Sequence, residues 1–387
     1  MREQRRKLCV LLVAAALLAG CQGAGTPDPS AGQPPAATAP AQPEPTESPA
    51  EEAEVTEAPA LPEPAGAPAE PAAPLALAQG QQVLRLAYGA DAGQIGQGGA
   101  AAFRIGGDGT VRVLDAVNKR VLFLGQDGAQ GRVQSLAEAQ EPVDFIVNND
   151  AEVFVFDQGQ GSNPQVLRYG RGGELAARYP LAPGVAVNAN GITLTSDQTL
   201  MLTWENSRVW TVLHRGVVVP PEVQPLTEQP GAASPRSPVL FETRAGSGAP
   251  TLWVVGLTSS IAGDMLGEVQ RLDTPLPPEA RFFNVDRAMN LYFLRQSDQD
   301  ETADLWRVQP DGSVAGGAQI PLTGCGLRSW RSLYVDQPGA VWTMCAVEGG
   351  VAFTRYDLLD PAGAPLAAAP PQAAEVAWRP GANFSAA

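Results

Sequence analysis

The stretch Phe103-Arg-Ile-Gly-Gly-Asp108-Gly-Thr-Val111-Arg-Val-Leu-Asp115 decides the fold. It holds two short runs of alternating apolar residues around a Gly/Asp turn signal, the pattern of a β-hairpin. The same frame returns as Phe145-Ile-Val-Asn-Asn-Asp150-Ala-Glu-Val153-Phe-Val-Phe-Asp157. Apolar anchor, turn Asp and strand-end Asp keep their register. Further copies begin at Ile192, Phe283 and Leu333, and one with a longer turn begins at Phe241 and resumes at Leu252. Six units at a spacing of about 42–50 residues make a repeat architecture.

A third strand follows each hairpin, as in Arg120-Val-Leu-Phe-Leu124 and Gln165-Val-Leu-Arg-Tyr169. Several units add a looser fourth. No stretch sustains a 3.6-residue period. Four short antiparallel strands per unit and six units predict an all-β fold, a six-bladed β-propeller over residues 82–387. Val83–Tyr88 precedes the first complete unit and is expected to close the ring on the last one. Ala374–Trp378 competes for that role.

Within the first unit, Gly109-Thr-Val-Arg-Val-Leu-Asp115-Ala-Val-Asn118-Lys-Arg120 resembles an NHL repeat, with its Gly turn, strand and Asp-x-x-Asn-x-Arg signature. Only this unit keeps the whole signature. The resemblance implies a six-bladed propeller used for binding, in a class that also contains enzymes and receptor sensor domains.

The N-terminal segment gives an expected address. Arg2, Arg5, Arg6 and Lys7 precede an apolar run of about 13 residues, too short for a membrane span of about 20. The run ends in Leu18-Ala19-Gly20-Cys21, which resembles a bacterial lipobox. That resemblance implies a signal peptide over 1–20, lipidation of Cys21, and a membrane-anchored, extracytoplasmic protein of the bacterial cell envelope. Gln22 in place of Asp implies no retention at an inner membrane.

Residues 21–81 are expected to form a disordered tether. They are dominated by Ala, Pro and Glu, carry nine acidic side chains and no Lys or Arg, and lack the large apolar residues a core needs. Proline and like-charge repulsion favour extended chain.

Pro 36 and Gly 41 together make about a fifth of the 387 residues, above the usual share. Acidic residues outnumber basic ones 41 to 26, for a net charge of −15. Nucleic-acid binding is therefore not expected, since neutralising phosphates takes a surplus of Lys and Arg. His214 is the only histidine, so histidine triads and zincin motifs are excluded.

In a propeller the loops between the second and third strands share one face with the loops that lead into each first strand. Candidate ligand contacts on that face are Asp115, Asp157, Trp204, Glu205, Arg295 and Trp330. Within the motif Asp115, Asn118 and Arg120, the Asp and Asn side chains have a structural alternative role, bonding loop amides and holding the turn. Trp204 and Trp330 suggest an aromatic platform for sugar or peptide, or packing between blades. Asp298, Asp300, Glu301 and Asp304 crowd one loop and suggest a weak Ca²⁺ site, since calcium takes six to eight oxygens. No other cofactor is expected.

Cys325 and Cys345 remain after Cys9 leaves and Cys21 takes lipid. A disulfide between them fits an oxidising compartment. The expected function is a binding or scaffold protein that holds a protein, peptide or glycan on the loop face. The alternative is a lactonase-like hydrolase or lyase acting in the axial pocket, which needs several converging carboxylates or similar ligands at the axis.

Overall fold

The structure is a computed structural model. It describes residues 80–366 except 126–127, 160–162, 205–206, 234–238, 246–249, 257–266, 274–275, 278, 287, 289, 297–301, 324, 326–330, 337–338 and 361; over 233–275 it describes backbone only. The signal segment, Cys21, the tether up to residue 79 and Ala374–Trp378 lie outside the described residues.

The chain opens with β1 (Gly80–Ala87), which joins the last sheet rather than the next one. Then β2 (Ala100–Ile105), β3 (Val111–Asp115), β4 (Arg120–Leu124) and β5 (Gln130–Ser135) form an antiparallel sheet in that order. The next sheet is β6 (Pro142–Val147), β7 (Val153–Asp157), β8 (Gln165–Tyr169) and β9 (Leu175–Pro180). A one-turn helix, α1 (Pro183–Asn188), buries Val185 and Ala186 and leads into the third.

The third sheet holds β10 (Gly191–Leu194), β11 (Leu200–Trp204), β12 (Arg208–His214) and β13 (Val217–Val218), with β14 (Gln229–Pro230) also on β12. The fourth is β15 (Ala232–Ala233), β16 (Val239–Ala245), β17 (Pro250–Gly256) and β18 (Gly267–Asp273). The fifth is β19 (Arg281–Val285), β20 (Leu291–Gln296), β21 (Thr302–Val308) and β22 (Val314–Pro321). Finally β23 (Leu333–Val335), β24 (Val341–Val347) and β25 (Gly350–Tyr356) are completed by β1. The described strands form six sheets, and the fold is an all-β propeller.

The repeated frame has a repeated local cause. The backbone N–H of Gly106, Asn148, Thr195, Asp286 and Asp336 each donates to the carbonyl four residues on, closing the turn between the first two strands. A polar or Gly residue suits that start because Asx and hydroxyl side chains bond the amides inside the turn. Asn148, for example, accepts from the N–H of Asp150 and Glu152.

Apolar layers between successive sheets make the core. One layer joins Phe103, Val113 and Leu122 of the first sheet to Trp342, Met344 and Phe353 of the last. Phe103 is fully buried and meets Phe353 and Tyr334 edge-on at centroid distances of 5.5 and 6.0 Å. Another joins Phe154, Phe156 and Val166 to Ile192, Leu202 and Trp210.

Successive sheets meet at their inner strands: β2 touches β6 and β23, β6 touches β10, and β19 touches β16 and β23. Between the third and fourth sheets, β15 meets β11 and β12. The neighbour relations form a closed circuit.

Closure uses the N-terminal strand. β1 pairs antiparallel with β25 from Gly80 opposite Tyr356 to Ala87 opposite Gly350. Gly350 permits this: a Cβ there would lie 2.2 Å from the Leu86 carbonyl oxygen. Among the described residues no helix is long and apolar enough to cross a membrane.

Candidate binding face and axial charge cluster

Asp115 ends β3 on the loop face and is fully buried. Its carboxylate accepts from the N–H of Gly96 (3.2 Å to Oδ2), the N–H of Asn118 (3.1 Å), Asn118 Nδ2 (2.7 Å) and Arg120 Nε (3.1 Å). Arg120 then donates to the carbonyls of Ala90, Asp91 and Gln94 at 2.7–3.0 Å. Asn118 Nδ2 reaches the Gly89 carbonyl as well. All these acceptors lie in the loop from β1 to β2. The one complete Asp-x-x-Asn-x-Arg signature therefore fastens the closing strand to the first sheet. Its groups are engaged by the fold, and Asp115 presents no free oxygen to a ligand.

Asp157 repeats the role in reduced form. It is fully buried and accepts from the N–H of Gln140 and Glu141 and from Gln165 Nε2. It holds the loop from β5 to β6. Both aspartates thus bond loop amides, as a buried carboxylate needs several donors to offset its desolvation.

Trp204 packs against the apolar layer between the second and third sheets, and the Arg208 guanidinium covers its ring at 5.4 Å. This places it in the packing role, with one face already occupied by a cation. Glu205 and Trp330 lie outside the described residues.

Arg295 pairs with Asp304 through Nε (3.2 Å) and Nη2, and its guanidinium lies 5.5 Å from the Trp306 ring centroid. The other Asp304 oxygen accepts from Gln319 Nε2 at 3.3 Å. The cation beside Asp304 is Arg295, so the calcium expectation loses this ligand. Asp298, Asp300 and Glu301 lie outside the described residues. No cluster of metal-binding side chains occurs among the described residues.

Cys325 and Cys345 form a disulfide spanning 20 residues of sequence. The closed loop contains β23 and the residues just before it. It ties the entry into the last sheet to β24.

Sequence reasoning missed a cluster at the axial ends of the first strands. Asp144 on β6 is buried, and both its oxygens lie 2.8 Å from Arg104 Nη2 on β2. Asp144 also accepts from the N–H of Phe145 (2.8 Å) and of Ile192 on β10 (3.0 Å). Gly191 leaves room for it, since a Cβ there would meet Thr203 Oγ1 at 2.6 Å and Asp144 Oδ2 at 3.3 Å. The carboxylate thus joins three successive sheets.

Arg331 comes from the loop before β23 and donates through Nη1 to the Val143 carbonyl on β6 at 2.6 Å. The two residues are 188 apart in sequence. The first sheet lies between the two sheets that carry them, so this side chain spans the axial region. Its Nε is buried with no hydrogen-bond partner. Burial pulls its pKa down, Arg104 pulls it further, and Asp144 opposes. No carboxylate among the described residues forms an ion pair with it.

The one available signal was positional. Aligning the units on their apolar anchors puts Asp144 level with Ala102, Gly191, Phe282 and Ser332. A carboxylate at a position otherwise small or apolar marks an internal ion pair.

No family model matches the chain, and no curated protein matches it. Solved structures do resemble it. Virginiamycin B lyase from Staphylococcus aureus is 14% identical with a TM-score of 0.39, covering 71% of this chain and 88% of that one. A gluconolactonase from Xanthomonas campestris is 14% identical with a TM-score of 0.38, covering 74% and 99%. A functionally unknown protein from Desulfotomaculum acetoxidans is 13% identical with a TM-score of 0.42, covering 70% and 86%.

Proposed function

We propose that this protein is an extracytoplasmic binding module, anchored by lipid at Cys21, held off the membrane by residues 21–81, and built as one six-bladed ring. The count of blades rests on the six sheets and their closed circuit of neighbours. The ligand is a protein, peptide or glycan held on the loop face.

One observation carries binding over catalysis. Asp115, Asp157 and Asp144 are buried carboxylates already saturated by amides, Asn, Gln or Arg. A hydrolase working with carboxylates needs one that can take or give a proton within reach of substrate. A buried carboxylate whose oxygens are all engaged by the fold is not free to turn toward substrate.

The test is a screen of ester and lactone hydrolysis by the purified chain, with Mg²⁺, Ca²⁺, Mn²⁺ or Zn²⁺ added. The expected result is no turnover above a heat-denatured control. Turnover that disappears in Asp144→Asn would replace this reading with the hydrolase one. For the anchor, Cys21→Ser is expected to move the protein from the membrane fraction to the soluble fraction.

A further inference from the structure

We propose that Arg331 forms an axial site for a single carboxylate group of a ligand, with Arg104 and Asp144 as its electrostatic frame. The inference rests on the reading of the propeller as a binder.

Charge balance is the first argument. The cluster holds two guanidinium groups and one carboxylate. Arg104 and Asp144 neutralise each other at 2.8 Å, and two backbone N–H groups complete the Asp144 shell. Arg331 is left over. Its one acceptor among the described residues, the Val143 carbonyl, is a neutral group. A guanidinium has five N–H donors in a planar fork, and a carboxylate, like a phosphate, offers two oxygens that match that fork.

Desolvation is the second. Taking a charge from water without a counter-charge is costly, so proteins rarely hold one that way without use. Arg331 is partly exposed, so a ligand can reach it. The chain is acidic overall at −15, which makes a site with one net positive charge stand out for an anion. One net charge selects a monoanion; a phosphate dianion would overcompensate.

The third is placement. Arg331 crosses from the last sheet to the second, where first strands from several sheets converge. A ligand there touches several blades at once, as specific recognition requires.

Thermal unfolding of the full chain is measured against acetate, with chloride holding ionic strength constant, since only a ligand that prefers the native state raises the midpoint. Acetate is expected to raise the midpoint saturably. Arg331→Gln should abolish the effect. Arg331→Lys, which keeps the charge without the fork, should need about tenfold more acetate. A linear, unsaturated response of the natural chain up to about 100 mM acetate, a concentration reserved for ligands as weak as single ion pairs, would overturn the site. So would an unchanged response in Arg331→Gln, or tighter binding of inorganic phosphate than of acetate. The natural chain alone decides the first and third outcomes, whatever the variants' folding. Hydrolytic turnover would defeat the binding reading while leaving the acetate response standing; a missing acetate response without turnover would defeat only the Arg331 site.

Discussion

Arg120 and Arg331 belong to the same loop face, and the protein uses them in opposite ways. Arg120 is buried, faces the Asp115 carboxylate, and places its donors on that group and three carbonyls of the loop that follows β1. Arg331 has one carbonyl, an unpartnered Nε and no ion-pair partner among the described residues. The first arrangement is closed: every part of it is accounted for by holding the seam of the ring. The second is open, and the fold does not explain it. A balanced buried ion pair serves structure, while an unbalanced, half-buried charge costs stability and calls for another purpose.

The largest expected effect tests the closed half. Asp115→Ala leaves Arg120 buried without its counter-charge and orphans the amides of Gly96 and Asn118, for a loss of about 3–5 kcal/mol. Arg331→Met removes a charge with no ion-pair partner among the described residues and should cost less than about 1 kcal/mol, or raise stability. Equilibrium denaturation in urea measures both. Equal losses would break the comparison, because Arg331 would then be as structural as Arg120.

The disulfide sharpens it. Cys325 and Cys345 enclose a segment that includes Arg331, so the bond limits how far that side chain can stray from the axis. The double variant Cys325→Ala/Cys345→Ala should lose about 2–4 kcal/mol through the freed unfolded chain. It should also need more acetate for the same rise in unfolding midpoint. A loss of stability with an unchanged acetate response would make the bond purely a staple of the last sheet.

The two halves differ also in how far the sequence reveals them. Repeat spacing, strand alternation and turn residues are local, so the hairpins from Phe103 and Phe145 were legible, as was Val83–Tyr88 as the closing segment. The roles of Asp115 and Trp204 were legible only as alternatives. Packing and hydrogen bonding bear on them, and both depend on residues distant in sequence. The Arg104–Asp144 pair and the Arg331–Val143 bond beside it bring together residues 40 and 188 positions apart. No window of sequence contains that juxtaposition; only ring closure creates it.

The smallest effect asks whether charge balance alone, without burial, gives the same stability. Arg168 Nη2 lies 2.5 Å from Glu152 Oε1, and Asn148 Nδ2 donates to Oε2 at 2.8 Å. Arg168 is 38% exposed and Glu152 17%, so water screens the pair far more than it screens Asp115 and Arg120, at 0% and 11%. Glu152→Gln should cost only about 0.2–1 kcal/mol at neutral pH. The hydrogen bond from Arg168, chiefly, holds the Glu152 carboxyl below its ordinary range. Its contribution is therefore complete above the unfolded glutamate pKa near 4.3 and fades as pH falls through the lower folded value. The stability gap between natural chain and variant should close with acidification over that window and stay constant from about pH 6 upward. A loss near that of Asp115→Ala would mean that balance rather than burial sets the strength of these pairs, and would remove the ground for treating Arg331 as exceptional.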